Sequence, residues 1–196
     1  MSNFQRAINL PWWRFLLPLG LQLALILFVP ARSAYTYNFG TDAVIQTIPV
    51  DPYDLLRGYS QTLRYDISRT GDLKKFPGGD NLKKGETFYV ILELNLAEVK
   101  LPPSPSKIIK VTKKNPQDLP SNQVALKGKV TKRSRVSYGL ETYYMPESQR
   151  NKINQEIRDL QQDSAGKRPF VVEIKVDRTG NSVPVSLWVG DKKYRF

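Results

Sequence analysis

The longest apolar run of the sequence lies near its N-terminus. Within residues 15–29 the only polar side chain is Gln22, and within the longer stretch 11–31 the only charge is Arg14. A helix needs about 20 mostly apolar residues to cross the hydrocarbon core of a bilayer. The run therefore predicts a single transmembrane helix. It is apolar on every face, and no other helices are predicted to cover it, so a buried core helix fits the pattern less well.

The residues around this run predict its orientation. Trp12 and Trp13 stand at its start, where aromatic rings favour the headgroup level of a bilayer. Arg6 and Arg14 precede its most apolar part, and no acidic residue does. The positive-inside rule then places the N-terminus in the cytoplasm.

A cleaved signal peptide is the alternative interpretation of the same run. Ala31-Arg32-Ser33 resembles a small-residue cleavage box, and the apolar length suits a signal peptide as well as an anchor. Both interpretations export everything after Tyr35. We therefore expect residues 1–34 to form a cytoplasmic N-terminus with an anchor or signal peptide, and residues 35–196 to form an extracytoplasmic domain.

The exported part alternates apolar and polar residues over short runs, which is the period of β-strands. Turn-forming residues such as 77–81 and 178–181 separate the runs, and Gly190-Asp191 predicts a tight hairpin. The predicted strands are 44–50, 62–68, 87–96, 108–112, 124–131, 136–144, 170–176, 183–189 and 192–196.

Residues 146–166 predict one helix among these strands. Pro146 and Glu147 suit a first helical turn, and Gly166 suits its end. The apolar stripe is narrow, with Ile153, Ile157 and Leu160. The fold class that follows is mainly β, a sandwich or partly open barrel with one amphipathic helix, preceded by the transmembrane helix.

Composition removes several kinds of chemistry. The chain has no Cys and no His, which excludes disulfides, thiolate metal sites, His-bound haem and catalytic sets that need either residue. No acid-rich calcium loop is present, so we expect no metal and no cofactor.

Basic residues exceed acidic ones in the exported part. Residues 35–196 carry 27 Lys and Arg and all 18 acidic residues. Their clusters fit a solvated face with protected strand edges, or a face that meets anionic headgroups beside the anchor. Nucleic-acid binding is not expected of an exported domain, so no nucleic-acid partner is predicted.

Two segments stand out as motifs. The first, residues 49–65, reads PVDPYDLLRGYSQTLRY, and the second, residues 138–147, reads YGLETYYMPE. Together they resemble the GDYXXLXY family of membrane-anchored bacterial proteins. Gly58, Leu63 and Tyr65 fall at the spacing of the signature, while Tyr59 and Ser60 replace its Asp and Tyr. Further matches are Asp51, Pro52, Asp54, Arg57, Tyr138, Gly139, Glu141, Tyr144, Pro146 and Glu147.

The resemblance implies a location and a fold more than a reaction. Members are similar to proteins encoded near, or fused to, polytopic membrane domains, and no catalytic activity follows from the resemblance. It implies a membrane partner, for which a polytopic membrane protein is the candidate.

The motif residues allow three interpretations. A guanidinium–carboxylate clasp would join Arg57 to Asp51, Asp54, Glu141 or Glu147 and lock a loop to the helix start. A polar groove would bind a ligand or partner. Paired acids, Glu141 and Glu147, would work as in glycosidases. The candidate binding cluster is Asp51, Asp54, Arg57, Gly58, Tyr65, Tyr138, Glu141, Tyr144 and Glu147, and no residue is assigned as catalytic.

The function expected from the sequence is a non-catalytic binding or accessory module on a single-pass anchor. It would dock on a membrane partner through residues 51–65 and 138–147. The rival hypothesis is a carboxylate-dependent hydrolase of cell-envelope polymers.

Overall fold

The chain is described here from a computed structural model, which covers residues 11–48, 60–62, 64–95, 101–144, 152, 155–156, 159–160 and 170–195. It divides into two compact units, Met1–Tyr35 and Thr36–Phe196.

The predicted apolar helix is present as α1, Trp13–Phe39. Its apolar side chains are exposed, with Leu16 at 59%, Ile26 at 69% and Phe28 at 67%. Among the described residues it is the one helix long and apolar enough to span a membrane. It runs past the predicted span, which ended at residue 31, and its last turn carries the buried Thr36.

The second unit is built from antiparallel strands. The strands of the described residues are β1 (Thr41–Ile48), β2 (Ser60–Thr62), β3 (Arg64–Tyr65), β4 (Thr87–Glu93), β5 (Lys107–Thr112), β6 (Gln123–Val130), β7 (Val136–Ser137), β8 (Thr142–Tyr144), β9 (Phe170–Val176), β10 (Ser182–Val189) and β11 (Lys192–Arg195). A short helix, α2 (Thr70–Leu73), was not predicted and buries Leu73.

The strands form two main sheets that share one core. A five-stranded sheet has the order β11-β10-β9-β1-β3, and a four-stranded sheet has the order β5-β4-β6-β7. Alternate residues such as Val172 and Ile174 of the first sheet, and Phe88, Val90 and Leu126 of the second, lie in a single apolar cluster. The mainly β fold is therefore confirmed, and the sheets do not close into a barrel.

The β10–β11 hairpin follows the prediction. Val189 pairs with Lys192 across Gly190 and Asp191. Gly190 has a φ of +62°, a left-handed conformation that glycine adopts without a Cβ clash.

The long strand predicted at residues 136–144 is interrupted in the structure. It is divided into β7 and β8 by a turn at 138–141, where Gly139 has a φ of +78°. A positive φ at one residue breaks the extended conformation that a continuous strand needs. The strand predicted at 62–68 is also shorter, because the amide of Ser68 donates back to the carbonyl of Tyr65.

Part of the predicted helix at 146–166 falls among the described residues. Lys152, Gln155, Glu156, Asp159 and Leu160 are helical. Leu160 packs against the core, as the predicted stripe requires. Ile153, Ile157 and the ends of that helix lie outside the described residues.

The last turn of α1 is tied to the five-stranded sheet. The hydroxyl of Thr36 donates a 2.9 Å hydrogen bond to the carboxylate of Asp177, which follows β9. The same carboxylate accepts hydrogen bonds from the backbone amides of Thr179 and Asn181 at 2.8 and 3.0 Å. Burial raises the pKa of Asp177, but hydrogen bonds from the Thr179 and Thr36 hydroxyls and from Asn181 outweigh burial and hold the pKa below its usual value.

Candidate functional site

The two motif segments lie side by side. Strands β2 and β8 form a separate two-stranded sheet in which Ser60 is opposite Tyr144 and Thr62 is opposite Thr142. Each strand comes from one of the two motif segments. This pairing brings together two segments that are distant in the sequence.

Two tyrosines bind the motif segments together beyond that sheet. The hydroxyl of Tyr65 donates a 2.8 Å hydrogen bond to the carbonyl of Leu140. The hydroxyl of Tyr138 donates a 2.9 Å hydrogen bond to the carbonyl of Ile67. Both side chains are buried, at 0% and 5% exposure. We name this pair of reciprocal hydrogen bonds the tyrosine clasp.

The ring of Tyr138 also packs closely against Phe88 and Gly128 in the core. It meets Phe88 edge to face, with ring centroids 6.3 Å apart. A Cβ at Gly128 would come within 2.8 Å of the Tyr138 ring and 2.7 Å of Phe88, so only glycine leaves room for both. Burial raises the pKa of Tyr138 well above its usual value, so the hydroxyl keeps its proton and remains a donor.

Glu141 holds the turn between β7 and β8. Its carboxylate accepts hydrogen bonds from the Ser137 hydroxyl and the Gly139 amide, each at 3.0 Å, and from the Tyr138 amide. Amide donors that converge on one carboxylate stabilise a tight turn. The structure thus gives Glu141 a role in its own loop.

The predicted binding cluster is brought together only in part. Tyr65, Tyr138 and Glu141 meet in the clasp and its turn, and Tyr144 joins them through the backbone of β8. The other predicted residues lie outside the described residues; they are Asp51, Asp54, Arg57, Gly58 and Glu147. The Arg57 clasp and the Glu141–Glu147 pair therefore stay predictions.

A second polar site lies on the five-stranded sheet, centred on Glu173 of β9. Its carboxylate accepts a 2.9 Å hydrogen bond from the Trp188 indole and a further one from the Ser186 hydroxyl, and it lies 2.6 Å from the Lys193 ammonium. Burial raises the pKa of Glu173, but these three partners outweigh burial and lower it below its usual value. Glu173 is therefore an anion that orders its neighbours.

A groove opens beside this site. Its volume is about 500 Å³. We name it the Glu173 groove, and its lining is Asp42, Ala43, Val44, Leu94, Asn95, Pro103, Ser104, Ser106, Glu173, Lys175, Val185, Lys193 and Arg195. Ser106 fixes one rim, because its amide donates to the Val44 carbonyl at 2.8 Å and its hydroxyl accepts from the Val44 amide at 3.1 Å.

Sequence reasoning missed the Glu173 groove. The alternation of β9 predicts that Glu173 and Lys175 point away from the core. The partners of Glu173 depend on sheet register, which sets Ser186 opposite Glu173 and Lys193 opposite Trp188. The signal in the sequence that points to this site is the pair of charged residues, Glu173 and Lys175, within the apolar run of β9.

The basic clusters are partly paired in the structure. Lys113 lies 2.8 Å from Glu86, and Lys75 lies 3.5 Å from Asp72. In both pairs the lysine is exposed and the acidic partner is partly exposed, as is typical of a solvated surface. Within the described ranges, no group of three or more acidic side chains is close enough to hold a metal ion.

The comparisons with known proteins give one family. The model of the GDYXXLXY protein family matches residues 22–187. No curated protein and no solved structure matches the chain. The matched range contains both motif segments, the tyrosine clasp and Glu173. The chain belongs to the GDYXXLXY family.

Proposed function

We propose that this chain is a single-pass membrane protein with its N-terminus in the cytoplasm. Its β domain is an extracytoplasmic, non-catalytic binding or accessory module. Its partner is a polytopic membrane protein, the kind of partner that the family resemblance implies.

The observation that carries the proposal is the surface of α1. The apolar side chains of this 27-residue helix are exposed along its length, and no part of its most apolar window is buried. At about 1.5 Å rise per residue, such a helix exceeds the ~30 Å hydrocarbon core. Leaving that much apolar surface in water is unfavourable, and a bilayer would cover it.

The orientation rests on charge. Arg14 stands at the start of α1, Arg6 precedes it, and no acidic residue precedes Asp42. Basic residues at the leading end favour the cytoplasmic side. The β domain, which begins after α1, then lies on the other side.

The role of Glu141 supports a binding module over a hydrolase. A general acid or base must reach the substrate. The carboxylate of Glu141 instead accepts three hydrogen bonds from residues 137–139 of its own turn. This use of Glu141 favours a turn-forming role for the second motif segment.

The tyrosine clasp indicates which motif residues remain for a partner. Tyr65 and Tyr138 are buried and engaged with the main chain. We propose that the clasp holds the two segments in place and that a partner contacts Asp51, Asp54 and Arg57. Gly58, Tyr144 and Glu147 complete the proposed contact.

Cysteine accessibility tests location and orientation. The chain has no Cys, so Ser2→Cys and Lys110→Cys each create one reporter thiol. Lys110 is exposed on β5. In spheroplasts, a membrane-impermeant maleimide should label Lys110→Cys at once and Ser2→Cys only after permeabilisation. The reverse pattern would contradict the orientation, and release of the protein by an alkaline carbonate wash would contradict anchoring.

Affinity purification tests the partner. Full-length protein, Arg57→Ala and a matched control, Arg178→Ala, are purified from solubilised membranes, and companions are identified by mass spectrometry. Arg178 is exposed and lies outside both motif segments. A polytopic membrane protein recovered with the wild type and Arg178→Ala, but lost with Arg57→Ala, supports docking through the motif. Identical companions for a folded Arg57→Ala would contradict that docking.

A further inference from the structure

We infer that the Glu173 groove is a binding site for a small amphiphilic anion, a phosphate or carboxylate joined to a short apolar group. This assignment goes beyond the proposed partner and does not depend on the motif segments. It rests on the volume, the charge and the ordered floor of the groove.

The size of the groove suits a small ligand. Its volume of about 500 Å³ falls within the ~300–1,000 Å³ usual for small-molecule sites. Leu94, Pro103 and Val185 provide apolar wall beside the charged residues. An entirely polar anion would leave that wall in contact with water.

The charges of the lining favour an anion. Its acidic residues, Asp42 and Glu173, are each paired with a lysine, at 3.2 Å to Lys175 and at 2.6 Å to Lys193. Arg195 is the further cation of the lining, and its guanidinium donates a 3.2 Å hydrogen bond to the hydroxyl of Tyr37 rather than to a carboxylate. Among the described lining residues, one positive charge is therefore left over.

The floor of the groove holds Lys193 in position. Its ammonium lies 5.3 Å from the centroid of the Trp188 ring and 2.6 Å from Glu173. Trp188 is 6% exposed and Ser186 is fully buried, so the residues that place this cation are themselves held by packing. A cation fixed before binding loses little conformational entropy when a ligand arrives.

One lysine of the groove can change partner at low cost. Asp42 pairs with Lys175, but its side chain is 79% exposed. Lys175 is 22% exposed and also donates a 3.4 Å hydrogen bond to the Gly40 carbonyl, while ion pairs whose carboxylate faces water contribute little, about 0–1 kcal/mol. An anion in the groove can therefore compete with Asp42 for Lys175, while Arg195 provides a planar fork suited to phosphate or carboxylate oxygens.

Binding of hexyl phosphate to the full-length protein in phosphatidylcholine nanodiscs tests the assignment. Isothermal titration calorimetry should show saturable binding of hexyl phosphate, weaker binding of inorganic phosphate, and no binding of hexyltrimethylammonium. Equal heats for the anionic and cationic probes, or no binding of hexyl phosphate, would overturn the assignment.

Matched variants locate the site. Arg195→Gln should weaken hexyl phosphate binding about tenfold, whereas Arg178→Gln, which removes the same charge outside the groove, should leave it unchanged. Asp42→Asn should strengthen binding about twofold, because it removes the negative charge that competes with the ligand for Lys175. Equal weakening by both arginine variants, or weakening by Asp42→Asn in a protein with unchanged circular dichroism, would overturn the site.

A competition experiment distinguishes two sources of the anion, a lipid headgroup and a free amphiphilic anion. Nanodiscs that contain phosphatidic acid present the same chemistry as a lipid headgroup. Weaker hexyl phosphate binding there, relative to nanodiscs with an equal surface charge from phosphatidylglycerol, supports a site for a phosphate monoester of the bilayer. Unchanged binding supports a site for a free amphiphilic anion.

Discussion

Tyr65 and Tyr138 each hydrogen-bond to the main chain beside the other, at Leu140 and Ile67. This reciprocity makes the tyrosine clasp a double connection between two segments that are distant in sequence. Because both hydroxyls are buried, each acceptor carbonyl would lose its partner if the hydroxyl were removed.

Tyr65→Phe and Tyr138→Phe should each lower the free energy of unfolding by about 1–2 kcal/mol, because a buried carbonyl is left without a donor. The double variant should lose less stability than the sum of the two single losses. Once one hydroxyl is removed, the segments are already held less firmly, and the second hydrogen bond then contributes less. Urea denaturation of the full-length protein in detergent, followed by circular dichroism, measures this.

Tyr89→Phe serves as the control. Tyr89 is half-buried on β4, and the described residues offer its hydroxyl no hydrogen-bond partner. The free energy of unfolding of Tyr89→Phe should stay within about 0.5 kcal/mol of that of the wild type. A loss at Tyr89 as large as that at Tyr65 would show that the hydroxyl bonds of the clasp add nothing specific.

Gly128→Ala should destabilise the fold, because its new methyl group would meet the rings of Phe88 and Tyr138 at 2.7 and 2.8 Å. Overpacking of this kind costs about 1–3 kcal/mol. For a chain of this size that is a drop in Tm of roughly 2–12 °C. Differential scanning fluorimetry measures the shift.

Gly71→Ala is the matched change for this prediction. A Cβ at Gly71, in α2, meets no atom within 4 Å. We expect an unchanged or slightly raised Tm, because alanine is the better helix former. Equal shifts for Gly71→Ala and Gly128→Ala would refute the steric explanation.

Asp177→Asn should lower stability at neutral pH by about 1–3 kcal/mol, because the amide cannot accept all of the donors that converge on the carboxylate. The folded pKa of Asp177 lies below its usual value. The contribution of the Asp177 carboxylate to the free energy of unfolding is therefore complete above about pH 5. It is lost as the pH falls through the pKa of Asp177 in the folded protein. Stability measured from pH 7 to pH 2 should fall more steeply for the wild type than for Asp177→Asn.

Asp118→Asn provides the comparison, since Asp118 is exposed in a loop. At neutral pH the free energy of unfolding of Asp118→Asn should stay within about 0.5 kcal/mol of the wild type. If Asp177→Asn followed the wild-type profile, the hydrogen bonds to Asp177 would not be a source of the acid sensitivity.

Glu141→Ala should weaken the turn between β7 and β8, because the donors at Ser137, Tyr138 and Gly139 lose their acceptor. We expect a loss of about 1–3 kcal/mol. Glu141→Gln keeps one acceptor oxygen, so its loss should be smaller. Urea denaturation separates the two, and an unchanged stability for Glu141→Ala would leave the carboxylate available for another role.

The fold could be predicted because the spacing of apolar and polar residues within each segment indicates which element that segment forms. The alternation within Phe170–Val176 predicts β9, which has those bounds in the structure, and the apolar run predicts the helix α1. The turn at residues 138–141 was missed, because Gly139 and Glu141 break a run whose aromatic residues favour a strand.

The candidate sites depend on information that local patterns do not hold. Tyr65 and Tyr138 were predicted as candidate binding residues, but their hydrogen-bond partners follow from the packing of two distant segments. Glu173 meets Trp188 and Lys193 only through the register of three strands. Sequence periodicity predicts which face a side chain takes but not what stands opposite it.

The junction between α1 and β1 has a mechanical consequence. A single residue, Gly40, separates Phe39 from Thr41, and the turn before it is fastened to Asp177. The helix and the first strand are thus joined without a longer linker. Because the hydroxyl of Thr36 bonds directly to Asp177, a force applied to this helical turn reaches the loop after β9 through that bond as well as through the covalent chain at Gly40.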